Sequence, residues 1–155
     1  MISSIKGLLM DWQYGRGIIK CFINELSDSE MDKPFPRKNL NSIRKQCEEL
    51  IQIQSCYVKA LESRKINFSY NPVADTSKEG LLKAMNQLDL LLEKTLENYN
   101  GEEVIIWFGQ EWIIHRHLSA MIGHEQMHIG QIIGFCYATG IEIPKQVIDT
   151  MALDG

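Results

Sequence analysis

An all-α four-helix bundle with a short β-hairpin before the last helix is the fold this sequence predicts. Three observations predict it. Four long stretches carry apolar residues at alternating three- and four-residue steps. The segments between them are rich in Pro, Asn, Asp, Ser and Gly. The one β-prone run is too short to support a sheet of its own.

The first helix is expected from about Ser3 to Leu26, with Ile5, Leu8, Leu9, Trp12, Ile19, Phe22 and Ile23 forming its stripe and Gly15 and Gly17 weakening it locally. Ser27 to Lys38, which includes Pro34 and Pro36, reads as the first long connection. The second helix is expected over about Asn39 to Ser63, where Ile43, Cys47, Leu50, Tyr57 and Leu61 climb one face apart from a gap near Gln54. Residues 64–75 form the next loop. Thr76 is the expected N-cap of the third helix, with Glu79 completing a capping box before Leu81, Met85, Leu88 and Leu92; Asn100-Gly101 ends that helix. Between Glu103 and Trp112, Val104, Ile105, Ile106, Trp107 and Phe108 predict a strand that Gly109 turns back. The fourth helix is expected from about Ile113 to Thr139, stopped by Gly140 and Pro144.

The chain has 155 residues, 45% of them hydrophobic and 23% charged, the balance of a globular protein with a core of its own, and is expected to form one domain over 1–155. The net charge of −4, with Lys and Arg scattered, argues against nucleic-acid binding, which needs a basic face. No apolar run is long enough to anchor the chain in a membrane or export it, so a cytoplasmic location is expected. Cys21, Cys47, Cys56 and Cys136 contain no C-x-x-C pair and read as buried free thiols.

His124 and His128 are four apart in the fourth helix, so their side chains emerge about 40° from one another on successive turns. That spacing lets both imidazoles reach one divalent ion; two unrelated histidines is the alternative. Gln131 continues the same face, and Gly123, Gly130 and Gly134 line a neighbouring stripe where a backbone can approach or helices simply pack. His124-Glu125-Gln126-Met127-His128 also satisfies H-E-x-x-H, but no third-ligand pattern follows and little strand is present to hold a peptide. Glu125 is therefore expected on a flank of the helix rather than as a general base. His117 reads as a satisfied histidine, and Trp12, Trp107 and Trp112 as core residues or pocket walls.

The run Gly123-His124-Glu125-Gln126-Met127-His128-Ile129-Gly130-Gln131, followed by Gly140 and Pro144, resembles the closing motif of the DinB-like superfamily, which includes YfiT-type proteins. Ser42-Ile43-Arg44-Lys45-Gln46, leading to Tyr57 and Ala60-Leu61, resembles its second helix. The resemblance implies an up-down-down-up bundle, a homodimer, and one divalent metal held by three histidines, one of them from the second helix. Here that position is Glu49, and no histidine precedes His115. A carboxylate is a competent ligand for zinc, nickel or manganese, and it lowers the net charge of the centre by one. Glu49 lies about 120° from the centre of its helix's apolar stripe, a border position open to a ligand or to a solvated side chain. Gln46 and Gln54 are candidates to brace the ligands from behind, as is Gln131, although Gln54 also fits a purely structural role.

The resemblance further implies small-molecule chemistry: transfer of a bacillithiol-type thiol to an electrophile, with Glu49, His124 and His128 holding the metal. A metal-binding stress-related protein without turnover and a metal-dependent hydrolase remain alternatives from other classes.

Overall fold

The computed structural model describes residues 1–153. Its elements in chain order are α1 (Ser3–Glu25), α2 (Asp28–Met31), α3 (Ile43–Ser63), α4 (Lys78–Leu96), β1 (Val104–Trp107), β2 (Gln110–Ile113), α5 (Ile114–Thr139) and α6 (Lys145–Met151). The four long helices form the bundle, and the hairpin precedes the last of them, as the periodicity predicts.

Hydrogen bonds between helix ends fix the directions. The Met1 amino group donates to Glu97 O (2.6 Å) and Lys78 Nζ to Leu26 O (2.6 Å), so α1 and α4 run antiparallel. Arg44 Nη1 donates to Thr76 O (2.7 Å) near the starts of α3 and α4, while the Tyr99 hydroxyl donates to Leu61 O near their ends, so those two are parallel. Ser4 Oγ meets His115 Nε2 at 2.8 Å, bringing the starts of α1 and α5 together. The path is therefore up-down-down-up. Its parallel middle pair requires residues 64–77 to travel back along the bundle, and Ile66, buried in that segment, anchors it by donating its N–H to Ile106 O (3.0 Å).

Several boundaries differ from the sequence expectation, each for a local reason. Ser42 accepts the Lys45 N–H (3.2 Å) and starts α3 at Ile43, four residues after the expected start at Asn39. Ser77, not Thr76, caps α4 by accepting the Gly80 N–H (3.1 Å), while Asp75 Oδ1 takes the Ser77 N–H (3.0 Å). A capping serine or threonine is worth about 1 kcal/mol, and two adjacent candidates cannot be ranked without the backbone. Within the first connection Ser27 and Glu30 form a capping box that nucleates the one-turn α2. Pro144 opens the short α6, whose Val147 is buried against the bundle. The hairpin turns at Phe108 and Gly109, whose φ values of 48° and 86° match a two-residue loop that suits the strand twist.

The core has two clusters. One joins the C-terminal halves of α1 and α5 to the N-terminal halves of α3 and α4, including Phe22, Ile23, Cys47, Leu50, Met85 and Ile132. The other joins the opposite halves to the hairpin, including Trp12, Tyr57, Leu61, Leu92, Trp107 and Leu118. All four cysteines are free and buried. No helix among the described residues is long and apolar enough to cross a membrane.

His117 belongs to the second cluster. Its Nδ1 accepts from Trp107 Nε1 (3.0 Å), so Nε2–H donates to Tyr57 O (3.1 Å), and burial pulls its pKa down from 6.5 to about 4. The unfolded imidazole takes a proton at higher pH than the folded one. Stability supplied by neutral His117 is thus present above about pH 6.5 and lost as pH falls toward about 4, by up to about 2–3 kcal/mol. Urea denaturation at about pH 7.5 and 4.5 should show this loss, and His117→Gln should flatten it. An equal slope in both proteins would assign the acid sensitivity elsewhere.

Candidate metal centre

Helix α3 presents Gln46 and Glu49 one turn apart toward α5, which presents His124 and His128 one turn apart in return. One ligand atom from each of Glu49, His124 and His128 lies within 4.8 Å of the others. His124 Nε2 is 3.8 Å from Glu49 Oε1, and His128 Nε2 is 3.8 Å from Glu49 Oε2. These distances exceed hydrogen-bond reach, so no proton bridges the groups in this arrangement. An ion with bonds near 2.0–2.2 Å needs ligand atoms about 3.3–3.6 Å apart in a tetrahedron, so the two 3.8 Å separations would close by a few tenths of an ångström and the cluster as a whole, within 4.8 Å, by no more than about 1.5 Å.

Protonation favours the same use. Burial pulls the pKa of His128 down from 6.5 to about 4, with the neighbouring His124 and Arg37 adding to the effect. Burial also lowers that of His124, helped by Arg16. Both rings are neutral near pH 7. Burial raises Glu49 above 4.5, against the opposing field of Arg37. Gln46 Oε1 accepts from His128 Nδ1 (3.0 Å), which leaves the Nε2 lone pair free to face the cluster. His128 Nε2 and Glu49 Oε2 are both buried without a hydrogen-bond partner. Two such acceptors aimed at one point repel each other, and a cation between them removes the conflict. His124 and Glu49 remain about a quarter exposed, so the cluster opens to solvent on one side. The residues present therefore fit a divalent ion.

The three glutamines take different places. Gln46 holds His128. Gln131, one turn beyond His128, accepts from Arg37 Nη1 (2.7 Å). Gln54 makes no hydrogen bond to the cluster; it accepts from Arg16 Nη2 (2.9 Å) and donates to Asp89 Oδ1 (2.8 Å) between the two core clusters.

Glu125 corrects an expectation. It lies not on a flank but fully buried, with its Oε2 3.3 Å from Arg16 Nη2, on a different side of α5 from the His124–His128 pair. At about 100° per residue, the position after His124 turns from α3 toward α1. Burial pushes its pKa up to about 7 even though Arg16 opposes the shift. Committed to Arg16, it is not placed as a base for the cluster. Gly15 permits this approach, since a Cβ there would meet Gln126 Nε2 at 2.7 Å and Glu125 Cγ at 3.4 Å. Gly123, Gly130 and Gly134 have nothing within 4 Å of an added Cβ, so no backbone of the described chain packs on that stripe.

Two residues escaped the sequence reading. Arg16 continues the stripe Trp12-Arg16-Ile19-Ile23, and a charge at a core position was the available signal. Arg37 carries no local signal in a Pro-rich connection.

Comparison with solved structures gives the same fold for a DinB-like protein from Bacillus cereus ATCC 10987, with a TM-score of 0.73 over 90% of this chain and 95% of that one. Sequence identity is 14%, and the likeness establishes the DinB-like fold. No family model matches the sequence, and neither does any curated protein.

Gln46→Leu keeps most of the side-chain volume but frees His128 to rotate or change tautomer. Zinc affinity measured by chelator competition is expected to fall roughly 10- to 100-fold, the usual cost of losing a partner behind a ligating histidine. Unchanged affinity would mean that packing alone holds the ring.

Proposed function

We propose that the protein is a metal-dependent enzyme of small-molecule chemistry, in which Glu49, His124 and His128 hold one zinc, nickel or manganese ion and the reaction is S-transfer from a bacillithiol-type thiol to an electrophile. The observation that carries the metal assignment is the pair of buried, unpartnered acceptors, His128 Nε2 and Glu49 Oε2, facing one another beside a partly exposed His124. The DinB-like fold and the H-x3-H-x-G-Q motif support the choice of chemistry. A bound ion of this kind would stabilise a thiolate at its open position.

The chain's own contribution is positional. Gln46 keeps one imidazole in the ligating tautomer, burial keeps both imidazoles unprotonated near pH 7, and Glu49 supplies a negative charge that partly neutralises the ion. Three protein donors leave a coordination position for a thiol, as a catalytic site requires.

Protein purified without chelator or an affinity-tag metal should carry about one ion per chain and conjugate low-molecular-weight thiols to electrophiles. His124→Ala and His128→Ala should each lower metal affinity at least tenfold with helical content unchanged; full retention in both would remove the metal assignment. Metal binding without turnover across thiols would favour the non-catalytic alternative. Glu49→Gln should weaken binding and remove the part of its acid dependence that comes from protonating Glu49, a loss of affinity as pH falls through a carboxyl pKa raised above 4.5. Glu49→His should bind at least as tightly as the parent. Affinities within about twofold of the parent for both substitutions would place Glu49 outside the ligand set.

The proposal includes a homodimer. Gly123, Met127, Gly130, Gly134 and Tyr137 follow a four-three-four-three spacing along the exposed side of α5, the pattern of a helix seam. A one-chain mass by light scattering at tens of micromolar would overturn it.

A further inference from the structure

Arg37 stands out among the cations of this molecule. It is exposed, on the connection between α2 and α3, and that connection is folded back on itself: Phe35 is buried, its N–H donates to Asn41 O (2.6 Å), and the Arg37 N–H donates to Phe35 O (2.7 Å). The guanidinium is thereby brought against α5, where Nη1 donates to Gln131 Oε1 at 2.7 Å, one turn from His128. That bond engages one of five donors. Among the described residues no carboxylate lies within 4.0 Å of Arg37; Arg64 and Arg116 also lack one, but each lies over an aromatic ring instead, whereas Arg16 and Arg44 are paired.

The position has an electrostatic cost. Held by Gln131 one turn of α5 from His128, the guanidinium stands close enough to the cluster for its charge to oppose the entry of a metal cation. A fixed positive charge at the open side of a cation site is unfavourable unless an anion joins them.

We propose that Arg37 is a specificity residue of this site, one that recognises a carboxylate on the small molecule whose donor atom binds at Glu49, His124 and His128. The inference rests on the reading of that cluster as a metal centre. A single guanidinium beside a neutral amide balances one carboxylate and presents it a planar fork of donors; a phosphate dianion would be left half compensated. The substrate class is therefore a carboxylate-bearing small molecule, and a carboxylate-bearing thiol if the transfer chemistry holds.

The test compares 3-mercaptopropionate, which carries one carboxylate, with the neutral 2-mercaptoethanol on cobalt-loaded protein, reading dissociation constants from the sulfur-to-cobalt charge-transfer band. Arg37→Gln is the informative variant, because its amide can still bond to Gln131 and keep the connection in place. The parent is expected to favour 3-mercaptopropionate over 2-mercaptoethanol by a ratio roughly tenfold or more above that of the variant, as charge-assisted bonds of this kind provide. Cobalt affinity of the variant without thiol should be equal to or higher than that of the parent, which a merely structural role for Arg37 does not predict. Cobalt binding with the same thiol ratio in both proteins overturns the carboxylate role alone. Failure of the parent to bind cobalt overturns the metal centre and this inference together.

Discussion

A guanidinium sealed inside the bundle is the constraint from which the rest follows. Arg16 is almost wholly buried, and a buried charge must be matched where it sits. Each of the other three long helices supplies one partner at the same level: Gln54 from α3 at 2.9 Å, Asp89 from α4 at 3.5 Å and Glu125 from α5 at 3.3 Å. Trp12 contributes its ring face from one turn below, 4.6 Å from the guanidinium carbon. Apolar clusters lie on both sides of this layer, and apolar contacts alone tolerate sliding of one helix along another. The polar layer does not. A shift of α5 by one turn would strand Arg16 against hydrocarbon, and separating a buried pair costs about 3–5 kcal/mol.

That register is what places the candidate centre. Glu125 points at α1, so the preceding His124, and His128 one turn on, are turned toward α3, where Gln46 and Glu49 wait. α5 is thus held from two sides, by Arg16 through Glu125 and by Gln46 through His128. The arrangement also explains why Glu125, inside an H-E-x-x-H string, does not serve the ligands beside it: on a helix, adjacent residues face different neighbours. The histidine pair and the glutamate between them belong to different structures.

What could be read from the sequence divides along the same line. Helix existence, the hairpin and the helical spacing of His124 and His128 are local patterns, set by spacing along one element, and the fold has them as expected. The placement of Glu49 beside the histidines was reachable from its border position together with the family resemblance, since a side chain projecting into an interhelical cleft must lie between the core and solvent faces. The burial of Glu125 was not legible, because its cause is Arg16 more than a hundred residues away. Arg16 itself left a trace, a charge at an apolar-stripe position next to Gly15, but recognising it requires knowing which helix lies opposite. Choosing Ser77 over Thr76 as a cap depends on backbone angles that adjacent hydroxyl residues do not reveal. α6 and the one-turn α2 are too short for periodicity, although the Ser27–Glu30 capping box that opens α2 and Pro144 before α6 are local signals.

Glu49 and Arg37 are best understood as a pair. Two neutral imidazoles with a carboxylate around a divalent ion give a net charge of +1, where three imidazoles give +2. The change weakens the pull of the centre on an incoming anionic donor. In this chain the Arg37 guanidinium, held by Gln131 one turn of α5 from His128, adds back one positive charge near the cluster. It does so at the mouth rather than at the ion, and the difference is chemical. Charge at the ion strengthens binding of any donor atom, whereas charge presented on a planar fork beside it strengthens only ligands that carry a second anionic group at the right distance. On the proposed reading, glutamate in place of histidine at this position, with Arg37 nearby, would trade general electrophilicity for selectivity.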